Sequence, residues 1–500
     1  MRRTREAKED KVTAERESQV VRDAPKGLFI AGRWRPATGE RTMAVEDPST
    51  TVTLCEVADG TAADGLAALD AAAAAQPDWA RTAPRERSEI LRRTHELLLE
   101  RRDDLALLMT LEMGKPLAEA AGEITYAAEF FRWFSEEAVR IDGGYAVSPD
   151  GSSRFLVMNQ PVGPCLLITP WNFPMAMGGR KLAPAIAAGC TMVAKPAEQT
   201  PLSMLALAAI LAEAGLPDGV LNVLPTSDPG AVMRPLITDP RARKLSFTGS
   251  TAVGKQLLSQ ASEQVLKVSL ELGGNAPFIV FPDADLDAAV EGAMVAKMRN
   301  IGEACTAANR FYVHTDVLAE FGKRLAARMG ELRIGRGVEE GVQVGPLIDA
   351  DAVRKVAGLV DDALARGADA VLAGGPLDRD GHFYAPAVLS GVPTDAAMSD
   401  QEIFGPVAPL TGFDSEQEVL AAANDTMYGL VSYVYTRDLN RAVRVAENLE
   451  TGMVGLNSGL VSNPAAPFGG VKHSGLGREG GRIGIDEFLE TKYVGLKMDG

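Results

Sequence analysis

From Pro164 onward the sequence alternates short apolar runs with helical patterns, and this alternation constrains the fold more than any other feature. "CLLIT", "AMGGRKLAPAIAAG", "TMVAKP", "PLSMLALAAILAEAG" and "GVLNVL" come in turn, followed by "KLSFTG", "TAVGKQLLSQAS" and "KVSLELGG". Strand and helix at this spacing predict βαβ units, an open parallel sheet and right-handed crossovers. Such sheets bind ligands beyond the carboxyl ends of their strands. After Asn275 a second alternation starts, from "APFIVF" through "DAAVEGAMVAKMRN" and "RFYVH" to "GLVSYVYT" and "GMVGLN", and predicts a second α/β unit of similar size.

The chain before Pro164 reads differently. "GLFIAGRWRPATGE" has a Gly-bearing turn between short apolar runs, the pattern of a hairpin. Thr61 to Glu137 reads as several amphipathic helices, and within it Gly114 and Pro116 stop a helical pattern. The tail "FLETKYVGLKM" has strand character without an obvious neighbour in sequence, which suits an exchange with another subunit. Five hundred residues, 46% of them hydrophobic, can fill two or three cores.

Charge and cysteine usage narrow the function. The 51 basic and 67 acidic residues leave a net charge of -16, which disfavours nonspecific binding to nucleic acid or an anionic membrane. Cys55, Cys165, Cys190 and Cys305 match neither a disulfide framework nor a zinc site, and His95, His314, His382 and His473 form no His-x-x-x-His pair. A cytoplasmic protein without a catalytic metal is expected. The charged N-terminus, 1–26, lacks the apolar core of a secretory signal and reads as a flexible or helical extension. The apolar stretch from Pro161 to Pro196 is cut by prolines, glycines, Arg180 and Lys181, so it is not expected to span a bilayer.

Several short motifs carry possible chemistry, though each taken alone also has a structural explanation. "FTGSTAVGK" follows a strand and opens a helix, where free N–H groups could hold a pyrophosphate; its Gly249, Thr251 and Gly254 could equally serve a plain turn. "VAKPAEQTP" puts Lys195 and Glu198 at a strand's carboxyl end, suited either to ribose hydroxyls or to a capped helix start. "SLELGGNAP" sets Glu271 among apolar neighbours, which raises a carboxyl pKa toward that of a useful base; a buried ion pair would explain it as well. "ITPWNFPMAM" stiffens Asn172 between prolines, as an oxyanion donor or as a turn residue. "RNIGEACTAANR" holds the lone Cys305, a nucleophile or a packed thiol.

Taken together and in order, "PWNFP", "KPAEQTP", "FTGSTAVG", "LELGGNAP", "GEACTAANR", "EIFGPV" and "PFGGVKHSGLGREG" resemble the motif set of the aldehyde dehydrogenase superfamily, from about Gly27 to the C-terminus. The resemblance implies an α/β subunit with a Rossmann-like NAD(P) domain (27–144 and 164–274) and a catalytic domain (275–476). It also implies a small β element (145–163 and 477–500) through which members form homodimers or homotetramers. It makes Cys305 the nucleophile, Asn172 the oxyanion donor and Glu271 the base that activates the hydrolytic water. Thr169, Pro170, Trp171, Lys195, Ala197 and Glu198 would contact the cofactor, as would Gly249, Ser250, Leu272, Glu402 and Phe404. Many relatives carry Gln where this chain has Glu303, whose side chain is therefore expected to face away from the thiol.

Within the superfamily the arginines point to a substrate. Arg180 and Arg299 stand where succinate-semialdehyde dehydrogenases grip a carboxylate, with Ser462 (or its neighbour Asn463) and Phe468 completing the pocket; the alternative is that the arginines pair with internal acids. Glu198 would accept from the ribose hydroxyls of NAD and repel the 2′-phosphate of NADP, so NAD is expected to be preferred, with NADP possible. Rival readings are a glutarate-semialdehyde or broad aliphatic aldehyde dehydrogenase and, less well supported, a coenzyme-A-acylating relative. A cysteine hydrolase would need a histidine beside Cys305, and a non-catalytic scaffold would have lost the nucleophile, base or oxyanion amide.

Overall fold

A computed structural model describes residues 12–498. Two large sheets and three small ones organise them. In the first large sheet the spatial order is Arg33–Arg35, Leu28–Ile30, Leu221–Val223, Met192–Lys195, Cys165–Ile168, Lys244–Thr248, Lys267–Glu271 and Gly475–Leu476. The five strands from Leu221–Val223 to Lys267–Glu271 run parallel. Their residues are mostly buried, which is why they read as short unbroken apolar runs rather than alternating ones. Chain order reverses between Cys165–Ile168 and Lys244–Thr248, and a crevice opens beyond the strand ends at such a switch.

The helix after Cys165–Ile168, Pro174–Ala188, is buried along its whole length. Proline opens it and Gly189, at φ 90°, closes it in the left-handed conformation. The N-terminal helices Ala62–Arg81, Pro84–Glu100, Arg102–Met113 and Leu117–Glu137 pack around this layer, and Gly114 at φ 92° ends the third of them as its sequence predicts. Glu123 of the fourth accepts from the N–H groups of Met175 and Ala176, placing a carboxylate at the start of Pro174–Ala188. The expected hairpin forms between Leu28–Ile30 and Arg33–Arg35.

The second large sheet runs Asp369–Leu372, Ala387–Ser390, Val407–Phe413, Ala308–His314, Ala276–Val280, Val431–Tyr435 and Met453–Leu456, parallel except at its first pair. Phe278 lies at its centre, with the rings of Phe311, Tyr433 and Tyr435 around it. Leu489–Lys497 pairs antiparallel with Ser153–Pro161 of the same chain, which in turn pairs with Gly144–Val147. The tail thus finds its neighbour more than 300 residues upstream in its own chain, a pairing that local pattern cannot show.

Just before position 476 the chain returns to the first sheet, where Gly475–Leu476 pair antiparallel with Lys267–Glu271; two residues are too short to read as a strand. The first sheet is not wholly parallel, since the N-terminal hairpin and Gly475–Leu476 add antiparallel edges. Of the N-terminal extension, Ala14–Asp23 is helical, capped by the Thr13 side chain, and the first eleven residues lie outside the described residues. Among the described residues no helix is long and apolar enough to cross a membrane.

Candidate active site

Cys305 lines a cleft between the two large sheets with a cavity volume of about 240 Å³. The turn that carries it is unusual. Asn300, Ile301 and Gly302 have φ of 53°, 62° and 81°, three consecutive left-handed residues. Asparagine tolerates this conformation and glycine prefers it, but a β-branched isoleucine there is strained and must be held by its surroundings. Asn300 does much of the holding. Its N–H donates to Glu119 Oε2 (2.6 Å), and its side-chain Nδ2 donates to the carbonyls of Asn172 (3.0 Å) and Glu303 (2.9 Å).

The same bonds fix Asn172. Its Oδ1 accepts from the N–H of Phe173 (3.1 Å), so Nδ2 is the donor end, and it donates to the carbonyl of Glu303 (3.0 Å). Lys115, itself paired with Glu123, donates to the Asn172 carbonyl at 2.7 Å. One Nδ2 hydrogen remains for an oxygen in the cleft, the arrangement a developing oxyanion needs.

Burial pushes the Cys305 thiol up to about 12; Arg180 and Arg299 pull it down, while Glu402 and Glu271 add to the rise. The resting group is therefore a thiol, and forming the thiolate requires a base or an added positive charge nearby. Burial, reinforced by repulsion from Glu479, lifts Glu271 well above the usual carboxylate range, and its Oε2 has no hydrogen-bond partner. Glu402 accepts from the N–H of Gly274 (3.1 Å), and burial raises it to about 7. Glu303 is fully buried and its side chain is not part of the cleft wall; Oε1 accepts from the N–H of Ile348 at 3.1 Å.

At one end of the cleft the two arginines behave differently. Arg299 Nη1 donates to Ser462 Oγ (3.3 Å), its guanidinium lies 4.8 Å from the Phe173 ring centre, and among the described residues no carboxylate comes within 4.0 Å of it. Arg180 Nε sits 2.9 Å from Glu479 Oε2, and its guanidinium stacks 3.8 Å from the centre of Phe468. Pairing with an internal acid thus holds for Arg180 and not for Arg299. The pairing at Arg180 is incomplete, because Nη2 is buried without a partner.

The other end follows the strand termini of the first sheet. Thr169 N–H donates to the Lys195 carbonyl (3.1 Å), Gly249 N–H to the Glu271 carbonyl (3.0 Å), and Ser250 caps the helix Thr251–Ala261. A Cβ on Gly254 would lie 2.4 Å from Leu272, so this glycine serves close helix–strand packing. Lys195 Nζ is 3.5 Å from Glu198 Oε2, and burial lowers the Lys195 pKa. The free N–H groups of the helix start, together with a lysine and two glutamates, suit the phosphates and ribose hydroxyls of a dinucleotide.

Pro170, Trp171, Asn172, Arg180, Gly249, Ser250, Glu271, Leu272, Arg299, Cys305, Glu402, Phe404, Ser462 and Phe468 all line the one cleft. Thr169, Lys195, Ala197 and Glu198 do not; they belong to the adjoining ends of Cys165–Ile168 and Met192–Lys195. Tyr126, Phe173, Met177, Thr248, Gly273 and Lys355 also line it and were not singled out from sequence. Gly273 and Thr248 adjoin residues that were, so adjacency could have found them. Tyr126, a lone tyrosine in an Ala-rich helix, carries no such signal.

The model of the Aldehyde dehydrogenase family matches residues 34–494. A succinate-semialdehyde dehydrogenase of Paenarthrobacter nicotinovorans is 60% identical over 89% of this chain and 98% of its own length. A glutarate-semialdehyde dehydrogenase of Pseudomonas putida is 52% identical over 94% and 97%, and the Escherichia coli protein named succinate-semialdehyde dehydrogenase [NADP(+)] is 51% identical over 93% and 96%. The crystal structure of succinate-semialdehyde dehydrogenase from Burkholderia pseudomallei superposes with a TM-score of 0.93 at 50% identity, covering 95% of this chain and 98% of the other. A cysteine, an amide donor and a high-pKa glutamate converging in one cleft, with a family match across nearly the whole sequence, lead to one conclusion: the chain belongs to the aldehyde dehydrogenase family and is an NAD(P)-dependent oxidoreductase acting on aldehydes.

Proposed function

We propose that this enzyme oxidises succinate semialdehyde to succinate, with NAD as the preferred cofactor. The observation that carries the substrate is Arg299, a guanidinium without a carboxylate partner that lines the same cleft as Cys305 and is bonded to Ser462. A carboxylate at the far end of the substrate would complete it, helped by the unpartnered Nη2 of Arg180 and by Tyr126. The 60% identical relative named for succinate semialdehyde supports this reading. Arg299→Ala should raise KM for succinate semialdehyde about tenfold or more, the worth of a charge-assisted bond, and leave KM for butanal nearly unchanged. Equal losses on both aldehydes would sink the idea. The 52% identical glutarate-semialdehyde relative makes a substrate one methylene longer the second reading, and comparing kcat/KM for the two semialdehydes decides between them.

In the reaction the Cys305 thiol gives up its proton to water in the cleft, and the thiolate Sγ bonds to the aldehyde carbon as the carbonyl electron pair moves onto oxygen. The oxygen that gains charge accepts from Asn172 Nδ2 and from the Cys305 N–H. NAD, when bound, supplies the hydride acceptor that takes the adduct to a thioester. Glu271 then removes a proton from the water that attacks this thioester, releasing the carboxylate and returning the thiol. Glu402 and Phe404, the latter packed edge-on against Trp171 at 5.5 Å, stand where they can orient the nicotinamide riboside.

The NAD preference rests on Glu198. Its contact with Lys195 engages the cation that a 2′-phosphate would otherwise use. Repulsion of that phosphate amounts to about 4 kcal/mol per charge at ~4 Å and an effective dielectric of about 20, before the half-exposed side chain swings away. Glu198→Gln should therefore raise kcat/KM for NADP by about tenfold, a fraction of that repulsion, with little change for NAD. A parent enzyme that already favours NADP would overturn the assignment.

The exposed Tyr145, Leu156, Tyr493 and Leu496 on the three-stranded sheet support homodimers or homotetramers built through it. Four free thiols suit a reducing cytoplasm.

A further inference from the structure

The Glu303 side chain turns away from the cleft into the interior, between the Cys305 turn and Ile348. Only one donor meets it, the N–H of Ile348 at Oε1 (3.1 Å); Oε2 is buried with no partner. Among the described residues no Lys, Arg or His nitrogen lies within 4.0 Å of it. The charged groups that face it are Lys115, engaged with Glu123 and the Asn172 carbonyl, and Asp349 and Lys355, one at the N-cap of the helix Ala350–Ala365 and one within it. A carboxylate ion held by one neutral N–H bond in a dry interior is costly, and such groups take up a proton instead. Burial accordingly pushes Glu303 well above the usual carboxylate range.

The main chain of the same residue has a different task. Its carbonyl accepts from both Asn172 Nδ2 (3.0 Å) and Asn300 Nδ2 (2.9 Å), so the direction of the Asn172 amide depends on where residue 303 is held. We propose that Glu303 is a positioning residue, kept as a neutral carboxylic acid, whose side chain anchors the nucleophile turn to Ile348 so that its own carbonyl aims the Asn172 amide at the reacting oxygen. This rests on the assignment of Asn172 as oxyanion donor made above.

Three variants of the full-length enzyme, assayed with NAD and succinate semialdehyde, test it. Glu303→Gln keeps the acceptor for Ile348 without a charge and should keep kcat near that of the parent. Glu303→Met keeps the length but not the acceptor, and should lower kcat about tenfold with KM for the aldehyde unchanged. Asn172→Ala should cost about a hundredfold in kcat. The infrared difference between parent and Glu303→Gln at neutral pH should contain the C=O band of a protonated carboxyl group, a signature that a charged structural glutamate would not give. If Glu303→Gln falls as far as Glu303→Met, or if the band is missing, the neutral acid is refuted. Should Glu303→Met keep full kcat while Asn172→Ala loses it, the positioning role fails and the oxyanion assignment stands. Full activity in Asn172→Ala instead overturns the oxyanion assignment and the aiming role with it. Where Glu303→Met does not fold, Glu303→Gln and the infrared band decide.

Discussion

Cys305→Ser is expected to lower steady-state aldehyde oxidation by on the order of 10⁴-fold or more, as loss of a covalent nucleophile does in other enzymes. The expectation follows from the surroundings of residue 305. Burial already holds the thiol up to about 12, and the groups that lower it are Arg180 and Arg299, not a histidine positioned to take a proton. A serine hydroxyl starts with a far higher pKa in the same surroundings, and without a dedicated base it stays protonated and unreactive. Binding should survive, because the cleft is built by side chains that the substitution does not touch: Trp171 and Phe404 at one end, Arg299 and Ser462 at the other. The check is a pair of measurements, NADH formation from succinate semialdehyde and NAD binding by fluorescence. Lost turnover with retained binding is the expected result. NADH formation at more than a tenth of the parent rate would remove Cys305 from the chemistry altogether.

The residues proposed for catalysis stand out in the sequence because each sits in a short local pattern set by its own backbone. Asn172 is fixed between two prolines, Glu271 ends an apolar strand just before two glycines, and Cys305 follows a glycine the turn requires. A Cβ on Gly302 would lie 2.3 Å from the Gly405 carbonyl, so its place in the motif is a steric necessity. The parallel strands Cys165–Ile168, Met192–Lys195 and Lys244–Thr248 were legible for a related reason: burial on both faces leaves an unbroken apolar run. What sequence did not show depends on contacts between distant segments. Tyr126 and Lys355 reach the cleft from helices Leu117–Glu137 and Ala350–Ala365, whose local patterns report only that they are helices. The partner of Arg180, Glu479, lies about 300 residues away and comes near only because Gly475–Leu476 return to the first sheet. The surroundings of Glu303 are hidden in the same way, since Ile348 approaches from a loop with no periodic signal.

Glu271→Gln is expected to separate the two halves of the reaction. Glutamine has nearly the same shape and still packs against the Gly469 turn, but it cannot accept a proton from water. Removing a general base costs typically 10²–10⁴-fold, so steady-state turnover should fall by about 10³. The first half needs no base at this position once the thiolate is present. Rapid mixing with NAD should thus still give a burst of about one NADH per active site, followed by a nearly flat phase as the Cys305 thioester accumulates. The pH dependence supplies a second, independent sign. In the parent, Glu271 is lifted well above the usual carboxylate range by burial and by Glu479, and it works as a base only when ionised. Thioester hydrolysis should therefore rise with pH through that raised pKa and level off above it, while the slow residual hydrolysis in Glu271→Gln should lack this step. A variant that loses the burst along with turnover would show that Glu271 serves the first half, by taking the Cys305 proton. In that case its repulsion of the thiolate, one of the causes that raises Cys305, must be relieved before the aldehyde can be attacked.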